Sequence, residues 1–133
     1  MLCEFGIETW YWTSITINKN YASRVHVDKN NVGPSIIKAF GDFSGGELLV
    51  WPGGKTVMAY DVSGGLTIFD GNVHHAANDF TGERFSLIFF VSKDVWKSSI
   101  DVYEQLYDLG FNPPPLDISK EDPWYHHDTG PTH

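Results

Sequence analysis

Clusters of Gly, Pro, Asn and Asp cut the first ninety residues into pieces too short for helices of ordinary length. They fall at 30–34, 41–46, 52–55, 63–65, 70–72 and 79–83. Between them lie short runs rich in β-branched and aromatic side chains. Such regular punctuation predicts an all-β sandwich or barrel. Strands are expected at 13–18, 23–27, 35–40, 46–51, 55–60, 65–69 and 85–92. Within the last of these, residues 85–91 (FSLIFFV) are nearly all apolar and should form the most buried strand.

The pattern changes after that strand. Trp96, Ile100, Tyr103, Leu106 and Tyr107 recur at helical spacing, so one C-terminal helix is expected over 94–110. Ser92 or Asp94 can cap its start and Gly110 can end it. Residues 113–133 are Pro-rich and aperiodic, and read as an extended tail with Leu116 and Trp124 as its candidate anchors. The expected organisation is one folded domain over 1–112 followed by that tail.

With 133 residues there is room for a single core. Nine basic residues stand against 17 acidic ones, a net charge of −8. On average such a chain repels phosphate backbones, which disfavours a nucleic-acid partner without a local basic lining. The single Cys3 excludes an intramolecular disulfide and a Cys-rich zinc module. No apolar run reaches membrane-spanning length, and the N-terminal residues lack the signature of a signal peptide. An intracellular location, cytoplasmic or nuclear, is therefore expected. Nothing in the sequence sets the oligomeric state.

The chemistry concentrates in two places. His26 and Asp28 have the same strand parity, so an imidazole and a carboxylate should point into one space. A second imidazole comes from His74-His75, just after the turn at Asp70-Gly71-Asn72. Two His and one carboxylate with open positions make the facial triad of non-heme Fe(II) oxygenases. Arg84 and Ser86, again of one parity, lead into the apolar strand. A guanidinium entering a barrel needs an anion to meet it. The far carboxylate of 2-oxoglutarate would take a bidentate pair from Arg84 and a hydrogen bond from Ser86.

These residues resemble the His-x-Asp…His…Arg-x-Ser pattern of the 2-oxoglutarate/Fe(II)-dependent dioxygenase superfamily. The segments HVDKNNVGPSIIKAFGDFSGGELLVW and FDGNVHHAANDFTGERFSLIFF look like the branch containing the ten-eleven-translocation and J-base thymine dioxygenases with their algal and viral relatives. The resemblance implies a double-stranded β-helix, a jelly-roll or cupin-like barrel. It assigns His26, Asp28 and His75 to iron, and Arg84, Ser86 and, in the NNVGPS segment, Asn31 to the co-substrate side. Family spacing to Phe80, Gly82 and Arg84 selects His75 over His74. The implied cofactors are Fe(II), 2-oxoglutarate and O2. The implied reaction is hydroxylation of a C–H bond, in this branch the methyl group of a modified pyrimidine. A protein side chain or a small molecule as substrate, or a metal-binding module without turnover, are the alternatives.

Other features read more simply. The glycine-rich stretch at 41–46 lacks a following Lys-Ser/Thr and a helix, so a hairpin turn is expected there and not a phosphate loop. Trp10, Tyr11 and Trp12 suit core packing better than base stacking. His126, His127 and His133 lie in the tail, and Cys3 has no partner motif for nucleophilic chemistry.

Overall fold

A computed structural model describes residues 10–131. Cys3, His133 and the N-terminal segment read above for a signal peptide lie outside the described residues. The elements are β1 (Ser14–Lys19), β2 (Asn31–Gly45), β3 (Leu48–Val50), β4 (Met58–Tyr60), β5 (Thr67–Phe69), β6 (His75–Ala77), β7 (Phe80–Ser92), α1 (Ile100–Asp108) and β8 (Gly130–Pro131). They form a five-stranded antiparallel sheet ordered β1-β7-β2-β5-β8 and a three-stranded antiparallel sheet ordered β4-β3-β6. This is an all-β jelly-roll core with one helix.

Strand alternation divides the large sheet into two faces. The inner face meets the small sheet through Ile37, Ala39 and Phe69, which pack with Leu48, Val50 and Val62. The outer face carries Ile36, Ile68 and Val91, which pack with Trp10, Val95 and Trp124. Trp10 is buried and Trp12 stacks edge-on against Phe89, so the aromatic N-terminal segment is core.

Four expectations change. Residues 23–27 are not a strand; they are an irregular segment held by one bridge, His26 to His75. The 41–46 stretch is not a tight hairpin, because β2 runs through it to Gly45, paired with the start of β7. Gly41 and Gly82 make that pairing close: a Cβ on either would lie 2.2 Å from a carbonyl oxygen of the neighbouring strand. The helix is split. A 3-10 turn spans Lys93–Lys97, the chain extends at Ser98 and Ser99, and α1 starts only at Ile100. Ser92 and Ser99 each cap a following N–H, so two serines compete with one continuous helix. The most buried strand is also not uniformly β7, since Phe85 remains 36% exposed.

The C-terminal residues pack onto the barrel. Trp124 is 1% exposed and Leu116 is 50% exposed, so the tryptophan is the anchor. It lies on Gly33, where β2 bulges between Val32 and Ile36. A Cβ at Gly33, whose φ is +68°, would come within 2.3 Å of the indole. Gly130 and Pro131 then pair with Ile68 and Thr67 at the sheet edge.

Candidate functional site

His26 and His75 face each other across an antiparallel bridge, each N–H donating to the other's carbonyl at 3.0 Å. Directly opposed residues project to the same side of an antiparallel pair, so the two imidazoles meet, with ring centroids 4.3 Å apart. Asp28 is tied to the turn by its own N–H, which donates to the Gly71 carbonyl at 2.8 Å. Gly71 is small for a reason: a Cβ there would lie 3.2 Å from Oδ2 of Asp28 and from Nδ2 of Asn31. Potential ligand atoms of His26, Asp28 and His75 all fall within 4.8 Å of one another.

The proton positions follow from the neighbours. Nδ1 of His26 lies 2.6 Å from the Arg24 carbonyl, and Nδ1 of His75 lies 2.8 Å from the Val73 carbonyl. A carbonyl only accepts, so each Nδ1 carries the hydrogen, and in the neutral ring each Nε2 presents a lone pair. Those lone pairs face Asp28, at 3.5 Å from His26 and 3.2 Å from His75. Lone pairs against a carboxylate repel unless a proton or a cation lies between them. Burial pushes the His75 imidazole below its ordinary value, and the His26 ring adds to this, although the Val73 carbonyl and Asp28 act in the opposite direction. The arrangement therefore fits a metal cation lying among the three groups, and each ring is held at its other nitrogen by a backbone carbonyl, as ligating histidines are. His74 is exposed and lies outside this group; its carbonyl accepts from the Trp51 N–H.

Beside the triad is a cavity of about 440 Å³ between the two sheets. Alternate residues of β7, namely Arg84, Ser86, Ile88 and Phe90, line it, as do Asn31 and the three triad residues. Arg84 and Ser86 are each 2% exposed. Nη2 of Arg84 donates to the Gly46 carbonyl at 3.0 Å, while its buried Nε has no partner among the described residues. The guanidinium lies between the rings of Phe43 and Phe80, at 5.5 and 5.8 Å. Among the described residues no carboxylate pairs with it. Burial pushes its pKa down, and an unpaired buried charge costs on the order of several kcal/mol. That is the environment of a group awaiting an anion. Ser86 Oγ already accepts from Nδ2 of Asn18 at 3.3 Å, which leaves its own hydrogen free to donate. Asn31 is 8% exposed, and its N–H donates to the Asp28 carbonyl at 3.2 Å.

The structure thus gathers all six residues singled out from the sequence around one cavity. Sequence reasoning missed their supports. Gly46, φ +72°, lets Arg84 lie along the backbone, since a Cβ there would meet Nε at 2.7 Å. Asn20, at φ +52°, exchanges bonds with the Arg84 backbone: its N–H donates to the carbonyl at 2.7 Å and its Oδ1 accepts the N–H at 2.8 Å. An Asn next to the end of β1 was the available signal, since Asn tolerates the left-handed region. Among the described residues His126 and His127 join no metal-ligating cluster; His127 packs against Trp10.

No protein-family model matches the chain, and no curated protein matches it. Among solved structures, an oxidoreductase of the 2OG-Fe(II) oxygenase family from Burkholderia pseudomallei is similar, at 24% identity and a TM-score of 0.49. The match covers 59% of this chain and 43% of that one, so the chain spans less than half of its length. No helix among the described residues is long and apolar enough to cross a membrane.

Proposed function

We propose that this chain is a 2-oxoglutarate- and Fe(II)-dependent dioxygenase that hydroxylates a C–H bond. One observation carries the reading: a His-Asp-His cluster with its lone pairs converging and a buried, unpaired guanidinium line the same cavity. A metal without a diacid leaves Arg84 unexplained, and a diacid without a metal leaves the triad unexplained.

Iron(II), when bound, supplies open positions for the keto acid and for O2, so that 2-oxoglutarate, O2 and R–H give succinate, CO2 and R–OH. The chain's own residues do the positioning. His26, Asp28 and His75 offer three ligand atoms, and the Arg24 and Val73 carbonyls keep both rings in the ligating tautomer. Arg84 takes the far carboxylate, with Ser86 as a second donor. Phe43 and Phe80 wall the guanidinium, which strengthens that pair by excluding water. Asn31 holds Asp28 through its backbone and presents its amide to the cavity beside it.

The resemblance to base-oxidising enzymes extends this reading to a pyrimidine methyl group, with a protein side chain or a small molecule as the alternative. Succinate release under air, with iron and ascorbate, tests the core of the proposal. Production above a metal-free control, lost in His26→Ala, Asp28→Ala and His75→Ala but retained in His74→Ala, is the expected result. Iron binding with no succinate under any substrate class would leave a metal-binding module in its place.

A further inference from the structure

The chain has nine basic residues, and only two of them, Arg24 and Arg84, are arginines. Both line the cavity, and none of the lysines does. In a chain with net charge −8 the described residues of the lining set these two cations against a single acidic residue, Asp28, whose charge a bound metal would offset. The cavity is therefore a positive site in a negative protein, which concentrates anions at its mouth. Arg84 is buried and answers for one anion. Arg24 is exposed and forms no ion pair among the described residues.

Arg24 sits on the segment that forms the rim. Tyr21, Ala22 and Ser23 line the cavity with it, and Tyr21 is 56% exposed. The rim is pinned to β6, because the Ala77 N–H donates to Ser23 Oγ at 3.0 Å and the bridge at His26 follows. A planar fork of donors on a fixed rim suits a carboxylate or a phosphate better than a lysine's point charge would. At about 440 Å³ the cavity lies toward the small end of ligand sites, roughly 300–1,000 Å³, and it must also take a five-carbon diacid.

We infer that the molecule hydroxylated here is a small organic anion whose carboxylate or phosphate is met by Arg24, with the Tyr21 ring against its apolar part. This rests on the dioxygenase reading for the role of Arg84 but assigns a second anion subsite to the same cavity. Iron(II) and 2-oxoglutarate binding to the unsubstituted protein, measured first, tests that parent reading separately.

The subsite is tested by calorimetry with saturating 2-oxoglutarate, under argon, on the full chain. The probes are matched pairs: phenyl phosphate and benzoate against benzamide, an N-acetyl amino acid against its amide, and a nucleoside 5′-monophosphate against its nucleoside. At least one anion should bind about tenfold or more tightly than its neutral partner. Arg24→Ala should abolish that preference and Arg24→Lys should restore part of it, which a merely structural role would not produce. The amino-acid and nucleotide arms separate a carboxylate substrate from a phosphate one. Equal binding of every anion and its neutral partner overturns the inference. So does a preference that survives in Arg24→Ala, since the anion would then sit on Arg84 or elsewhere.

Discussion

The two faces of β7 are made by one run of sequence and do opposite things. Arg84, Ser86, Ile88 and Phe90 look into the cavity, while Phe89 and Val91 look out onto the aromatic cluster of Trp10, Trp12 and Trp124. The inner face carries a buried cation without an anion among the described residues, and it looks across the cavity at a carboxylate and two imidazole lone pairs supplied by other segments. The outer face is covered by apolar contact supplied from both ends of the chain. Alternate residues of the same strand thus serve two neighbourhoods, one that binds and one that stabilises. Substitutions on one face should leave the property of the other largely intact.

The sharpest test of that separation is Asp28→Ala. Iron(II) affinity should fall by about 1,000-fold, beyond the roughly 10–100-fold typical of losing a group that only hydrogen-bonds a ligand. Urea midpoints of the metal-free protein should barely move, because the Asp28 backbone bond to Gly71 remains. Trp124→Ala should do the reverse and destabilise by about 3–4 kcal/mol, with iron affinity preserved in the fraction that stays folded. If iron binding and thermal stability fell together in both variants, the two faces would form one coupled unit.

Arg84→Met sharpens the comparison on the cavity side. The affinity for 2-oxoglutarate should fall about 100-fold with two charge-assisted bonds lost. Ligand-free stability should hold or rise, because an apolar side chain replaces an unpaired buried charge. Gly33→Ala should cost about 1–3 kcal/mol through positive-φ strain and displacement of the Trp124 ring. The smallest effect is in pH. Burial holds the folded His75 below the value it has when unfolded. Below pH of about 6.5 the unfolded chain takes up a proton that the folded chain resists, so metal-free stability should fall as pH drops from neutral. Above that pH the effect vanishes. His75→Gln should flatten the slope between pH 7 and 5 in chemical denaturation curves.

Much of the site was legible because it depends on parity and on what charge does in an apolar strand. Arg84 and Ser86 share a face in any extended conformation, and a guanidinium within FSLIFFV-like surroundings demands an anion wherever the strand lies. His26 and Asp28 reach one space by a different route. Their segment is irregular, and a single bridge to His75 does what strand alternation was expected to do. The Trp124 anchor, Gly46 under Arg84 and the Asn20 exchange were not legible, because each depends on a contact between segments far apart in the chain.

The amino-acid order alone determined that the chain is broken into short β-forming runs and that its ionisable groups are unusual for the apolar strand they enter. These are local matters, set by backbone sterics and solvation. Only the folded molecule decided that β6 begins at His75 and leaves His74 exposed, that two serines divide the helix, and that both arginines open onto one space. Those outcomes rest on long-range backbone hydrogen bonds and packing between sheets, whose partners no local window of sequence contains.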